Sequence, residues 1–261
     1  MSGPVLQAEG LDAGNDGRVL CWGLDLAPRP GECWGILGRN GSGKTTLLHT
    51  LAGLRPALAG RVLLDGRPLA SLRRRRIARR LGLLPQEDVT PFPSTVLESV
   101  LAGFHPHLSL WAFEGPAEHA RAREALATVD LAGLEGRTLD TLSGGERRRV
   151  ALATLLVQDP AVMLLDEPTN HLDLHHQVTV LETLRERVRA GRTAIMVLHD
   201  LNLAARYCDR FLFLPGDGTW EAGPGDAVLK EATLSRLFGH PIIRRDGPEG
   251  PAFLAAPAAE P

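Results

Sequence analysis

A doubly wound α/β core carrying an inserted helical subdomain is the fold class this sequence predicts, and three observations predict it. Short apolar runs alternate with helix-like ones along much of the chain. A glycine-rich loop, GRNGSGKT at 38–45, stands between a buried-type strand pattern and a helical pattern. Between about 87 and 159 the strand-like runs cease and the pattern turns mostly helical, after which alternation resumes.

Taken in order, VLQAE (5–9) and VLCWGLDLA (19–27) read as strands broken by the turn-rich AGNDG, giving an N-terminal antiparallel β part. CWGILG (33–38) reads as a buried strand and KTTLLHTLAGL (44–54) as the helix after the loop. RVLLDG (61–66) is a strand ending in an Asp-Gly turn, and RRLGLLPQ (79–86) ends in another short strand. The helical stretch holds TVLESVLAGF, AEHARAREALATVDLAGL and GERRRVALATLLVQ. AVMLLDE (161–167) and TAIMVLHD (193–200) are strands flanking a helix near 174–190. RFLFLPGDGTWEAG (210–223) reads as a hairpin around Gly-Asp-Gly. Residues 246–261, rich in Pro, Ala and Gly, read as a loose tail. The organisation is therefore a core of 1–86 and 160–245, a helical subdomain of 87–159 and the tail, with no internal repeat.

Composition narrows the function. The 261 residues suffice for a sizeable core, and 44% hydrophobic with 23% charged residues is ordinary for a globular chain. With 29 basic against 31 acidic residues, nothing global argues for nucleic acid as a partner. No apolar run approaches the ~18–20 residues needed to span a bilayer. The N-terminus lacks the plan of a signal peptide, and the unpaired spacing of Cys21, Cys33 and Cys208 suits a reducing compartment, so a cytoplasmic location is expected. All but two of the cations are arginine, which makes Lys44 stand out.

The loop GRNGSGKT fits G-x-x-x-x-G-K-[ST]: Gly38, Arg39, Asn40, Gly41, Ser42, Gly43, Lys44, Thr45 and the following Thr46. Its N–H groups suit phosphate oxygens, Lys44 reaches the β and γ phosphates, and the Thr45 hydroxyl suits Mg²⁺. A lysine here is a compact donor that an arginine fork would not replace. Asp166 and Glu167 end an apolar strand, where α/β sheets bind ligands. Asp166 suits the metal shell and Glu167 suits polarising water. His199 ends a second strand in the same way, and Gln86, ending LGLLPQ, is a neutral ligand able to reach Mg²⁺ or water. In LSGGE, Ser143 and Glu146 have the spacing of a capping box, while Gly144 and Gly145 let the backbone approach an anion. The six arginines within 73–80 read as a solvated helix face, and His105 and His107, with no acid or cysteine nearby, are not read as a metal site.

Phosphate loop, Gln86, LSGGE, VMLLDEP, NHLD (170–173) and His199 occur in the order of the ATP-binding cassette (ABC) ATPases, which the chain resembles over about 5–245. That resemblance implies ATP and Mg²⁺, a head-to-tail homodimer, and a Ser143–Gly144–Gly145 surface that closes on the partner's γ-phosphate. It also implies that Asp173 bridges the dimer, that Gln86 senses a membrane permease and that His199 is the switch histidine. HDLNLAARYCDR, AGFHPHL and TLSRLFGHPI resemble the ATPases of importers for iron-siderophore complexes, haem and vitamin B12. These work at the cytoplasmic face of the inner membrane with a permease and, indirectly, a substrate-binding protein. An exporter ATPase and a soluble repair or translation cassette are the alternatives; the single cassette with a short insertion argues against the soluble one, and the tail after 223 and the 201–210 segment favour import. Three departures stand out: no stacking aromatic near position 14, which leaves Arg18 or Trp22 for the base and makes Gly14 the place to add tyrosine, and Arg148 and Thr154 where the family more often has glutamine and arginine.

Overall fold

The computed structural model describes residues 3–15, 18–86, 93–109, 112–247 and 250–257. Residues 87–92, where the insertion is expected to begin, and 258–261, at the end of the expected tail, lie outside the described residues.

The chain opens with β1 (Leu6–Asn15) and β2 (Arg18–Leu26), continues to β3 (Cys33–Leu37), and enters α1 (Lys44–Leu51) through the glycine loop. Next come β4 (Ala59–Leu64), β5 (Arg67–Pro68), α2 (Arg74–Ala78) and β6 (Leu81–Leu84). The helical insertion supplies α3 (Val96–Leu101), α4 (Pro116–Thr128) and α5 (Gly144–Gln158). The core then resumes with β7 (Val162–Asp166), α6 (Leu174–Arg189), β8 (Thr193–Val197), α7 (Leu201–Tyr207) and β9 (Arg210–Phe213). β10 (Glu221–Pro224), α8 (Gly225–Val228), α9 (Glu231–Phe238), β11 (Ile242–Gly247) and β12 (Gly250–Ala255) complete it.

Two larger sheets result. The antiparallel one has the order β2-β1-β4-β5, and the six-stranded one has the order β10-β9-β3-β8-β7-β6, parallel except for the β9–β10 hairpin. Every residue of β3, β7 and β8 is buried, as expected of strands covered on both faces. Their alternation divides the core in two. Val162 and Leu164 of β7, with Ile195 and Val197 of β8, pack toward α1 and the antiparallel sheet. Met163, Leu165, Ala194 and Met196 pack on the other side against the insertion and the later helices. Helix α1 thus lies between the sheets, and the carboxyl ends of β3, β7 and β8 converge beside its N-terminus.

The loose tail expected over 246–261 is corrected at 246–247 and 250–255. Gly250–Ala255 pairs antiparallel with β11, Phe253 is buried, and Asn202 of α7 clasps its backbone with both amide atoms, at 2.7 and 3.1 Å. One apolar anchor and two side-chain hydrogen bonds outweigh a composition rich in proline and alanine. The arginine cluster is mostly exposed, as expected, yet it is not merely solvated. Arg75 and Arg79 donate to the Pro106 carbonyl, Arg74 donates to Gly53, and Arg80 grips Asp65 with two hydrogen bonds.

Candidate functional site

β3 delivers the chain into a cleft of about 360 Å³ lined by Leu20, Asn40, Gly41, Gly43, Lys44, Thr45, Thr46, Gln86, Glu167 and His199. Gly43 caps α1 in a left-handed conformation (φ +99°), and a Cβ there would stand 2.7 Å from the Leu20 Cβ, so only glycine fits. The first turn of α1 carries no acid, which leaves its N–H groups and dipole available to an anion. Lys44 curls back over the loop, its ammonium donating to the Gly38 and Arg39 carbonyls at 2.9 and 3.0 Å. Burial lowers its pKa, and the nearby Glu167 and Asp166 oppose that. Ser42 is buried behind the loop with its hydroxyl oxygen free of any hydrogen bond.

Asp166 ends β7 on the face turned toward α1. Its side chain is fully buried and neither carboxylate oxygen has a hydrogen bond of normal geometry. Burial raises its pKa; the Thr45 hydroxyl beside it works the other way. A buried, unsatisfied carboxylate next to a hydroxyl at the start of α1 fits a hard cation that takes oxygen ligands, as Mg²⁺ does.

Glu167 follows in the left-handed region (φ +51°), unusual for a side chain with a Cβ. Its carboxylate is held from three sides: by the Gln86 amide at 3.2 Å, by the Asn170 amide, and by His199 Nε2 on the other oxygen. A carboxylate in its ionised form only accepts, and toward that form His199 donates from Nε2. Gln86 uses its nitrogen here, which leaves its carbonyl oxygen for a cation or water.

The LSGGE residues sit elsewhere. Ser143 caps α5 as expected: its hydroxyl accepts from the Glu146 N–H at 3.2 Å, and the Glu146 carboxylate accepts from the Ser143 N–H at 2.7 Å. Ser143, Gly144, Gly145 and Asp173 line a second cleft of about 320 Å³ together with Glu146, Arg149, His171, Leu172 and His176. A Cβ on Gly145 would lie 2.9 Å from the His171 carbonyl, so glycine permits the close approach of α5 to the 170–173 turn. Asp173 caps α6, accepting from the His176 N–H at 2.9 Å and from its ring at 2.8 Å. The two clefts share no lining residue among those described.

Sequence reasoning missed two contributors. Asn170 was visible only as part of NHLD, and Leu20, on β2, lines the first cleft with no sequence signal to mark it. Neither Arg18 nor Trp22 lines that cleft, and the plan to place tyrosine at Gly14 fails: a Cβ there would lie 2.2 Å from the Arg18 carbonyl. His105 does meet an acid, Glu114 at 3.2 Å, while His107 Nε2 bonds the Gln158 carbonyl at 2.9 Å, so the two histidines face different partners.

The sequence pattern of the ABC transporter family matches residues 22–170, more than half of the chain. The chain belongs to the ABC transporter ATPase family. This ABC ATPase is 41% identical over 262 residues to the hemin import ATP-binding protein HmuV of Streptomyces coelicolor, an alignment covering 99% of this chain and 92% of that one. It is also 41% identical to HmuV of Pseudomonas aeruginosa, covering 94% and 96%. An inward-facing ABC transporter described as of metal-chelate type superposes with a TM-score of 0.82 at 26% identity, covering 97% of this chain and 98% of that one. A dimeric ATP-binding cassette in a post-hydrolysis state with ADP and Pi gives 0.74 at 26% identity, covering 84% and 98%. As in other ATPases of the family, ATP is the substrate, and no helix among the described residues is long and apolar enough to cross a membrane.

The buried acid generates a prediction. Because the folded chain raises the Asp166 pKa, it disfavours the ionised form, and the cost is complete above the raised pKa and gone below the ordinary carboxylate range. Asp166→Asn should therefore raise the ligand-free melting temperature at pH 7 by about 2 °C or more, on the scale of ~2–4 °C per kcal/mol for a domain of this size. The gain should shrink as the pH is lowered toward 4. A melting series across pH checks it; a variant less stable than the parent at pH 7 would contradict the argument.

Proposed function

We propose that this chain is the ATP-hydrolysing subunit of an importer for haem or a related iron chelate, acting as a homodimer on a separate membrane permease. The observation that carries the reading is the separation of the two clefts. A cap with a spare hydroxyl hydrogen and exposed N–H groups is an anion site that its own chain's phosphate loop does not use. A head-to-tail dimer places each such cap on the other subunit's nucleotide. The hemin-import names of the relatives support haem as cargo.

In this reading Lys44 and the N–H groups of 38–46 hold the β and γ phosphates, the ammonium exchanging its carbonyl partners for phosphate oxygens. Thr45 and Asp166, with the Gln86 carbonyl, hold Mg²⁺, which supplies charge neutralisation at the phosphates when bound. Glu167 accepts the proton of the attacking water, and His199 fixes the orientation of its carboxylate through Oε1. Ser143 already accepts from Glu146, so its own hydrogen is directed to the partner's γ-phosphate. Asp173 stands at the dimer surface, and Gln86, bonded to Glu167, is the residue through which the permease is sensed. The ATPase then lies peripherally on the cytoplasmic face of the inner membrane, and a substrate-binding protein meets the permease rather than this chain.

Three experiments test the reading. Glu167→Gln keeps shape and hydrogen bonding but not the base, so turnover should fall ~100-fold or more while ATP binding persists and an ATP-bound dimer accumulates. Turnover within threefold of the parent rejects Glu167 as the base. Mixing Ser143→Arg with Lys44→Ala, each nearly inactive alone, should restore part of the hydrolysis, because one composite site of the heterodimer is intact. A strictly monomeric chain that hydrolyses ATP at full rate and still loses activity with Ser143→Arg would reject the two-chain site. Expressed with its permease, the chain should restore growth on haem as sole iron source to a strain lacking its own haem-import ATPase, and Lys44→Ala should not. Energised uptake of cobalamin in place of haem would correct the cargo.

A further inference from the structure

The motif that the function does not absorb is the arginine run after LSGGE, and its two buried members do different work. Arg149 stays within the insertion, its Nη1 donating to the carbonyls of Val129 and Asp130, both at 2.9 Å, where α4 ends. Arg148, only 3% exposed, leaves the insertion altogether. Its Nη1 donates to the Pro85 carbonyl, and its Nη2 donates to the carbonyls of Asp166 and, at 3.0 Å, of Glu167. One planar fork thus grips the backbone immediately before Gln86 and the peptide that joins the metal-holding acid to the base.

We propose that Arg148 is a positioning residue that links the signature helix to the general base. The inference rests on the role given above to Glu167. Ser143 caps α5 and Arg148 follows five residues later on the same helix, so the guanidinium moves with the surface that engages the partner's ATP. Glu167 holds a left-handed backbone that its Cβ disfavours, and the strand ladder ends there with its N–H on the Val197 carbonyl. Fixing the carbonyls on either side of that conformation fixes where the carboxylate points. Pinning Pro85 at the same time keeps the Gln86 amide in reach of the same carboxylate, at 3.2 Å. Base and sensor are therefore in register only when α5 is in place. An ammonium radiates its three donors from one nitrogen, and a glutamine amide carries only two N–H groups on a shorter stem, so neither spans the three carbonyls that the two guanidinium nitrogens serve.

The test compares Arg148→Met, Arg148→Lys and Arg148→Gln, with Glu167→Gln as reference, measuring kcat per folded molecule, KM for ATP and melting temperature. In Arg148→Met kcat should fall tenfold or more with KM within threefold, and Arg148→Lys and Arg148→Gln should each stay below a third of the parent's kcat. Added to Glu167→Gln, Arg148→Met should change the residual rate less than twofold, because both act through one carboxylate. A purely structural role lowers the melting temperature and leaves kcat per folded molecule unchanged; that result overturns the proposal, as does a fully multiplicative loss on the Glu167→Gln background. Should Arg148→Met fail to fold, parent-like turnover in Arg148→Lys or Arg148→Gln overturns it instead. Parent-like turnover in Glu167→Gln rejects the base and this inference together, whereas an inactive Glu167→Gln beside a fully active Arg148→Met rejects the inference alone.

Discussion

Asp166 is a carboxyl group buried at the end of a central strand, with no hydrogen bond of normal geometry to either oxygen, and the rest of the architecture depends on tolerating it. A charge in that position is stable only where the surroundings are rigid and a counter-charge can arrive. β7 meets the first condition because it lies between β8 and β6 with every residue buried. Alternation along β7 turns Asp166 to the side of α1, where Thr45 and Lys44 begin the helix. The parallel sheet brings the ends of β3, β7 and β8 to one place, so loop, acids and His199 meet without any long connection having to be ordered.

The same constraint extends outward to the insertion. A strand that ends on Asp166 and bends at the left-handed Glu167 leaves the ladder there, with the Glu167 carbonyl taken up by the Asn170 N–H of the following turn at 3.1 Å. Arg148 reaches the Asp166 and Glu167 carbonyls from α5, which makes the helical insertion part of the support of the acids rather than an appendage. Arg149 ties that helix to the end of α4, so the two helices of the insertion are held together at that point. The Ser143 cap, the close approach of Gly145 to His171 and the Asp173 cap then form one surface where the insertion meets the core.

Much of the site was legible because its residues are bound to local backbone geometry. GRNGSGKT is a chemical signature in itself, since three glycines leading into one of the chain's two lysines have few other uses. VMLLDE and TAIMVLH announce acids and a histidine at strand ends through the apolar run before them. The capping box was legible for the same reason, spacing along one helix. Leu20, Asn170 and the reach of Arg148 were not, because each acts on residues distant in sequence or through a backbone carbonyl that carries no side-chain signal. The tail misread as loose shows the limit of composition: Phe253 is one residue, and its value lies in the Asn202 amide waiting on another element.

What the sequence by itself determined is therefore the set of local structures and the chemistry each can offer: a phosphate loop, two acids, a histidine, a capped helix and an alternating core. Periodicity and turn chemistry act over a few residues, so they survive in the one-dimensional text. Only the tertiary structure decided that the phosphate loop and the LSGGE cap lie in different clefts, that three donors converge on Glu167, and that Arg148 joins the two subdomains. Those outcomes depend on which strands pair and on which face of β7 meets α1, and hydrogen bonds to main-chain carbonyls are open to any donor that the packing brings within 3 Å or so.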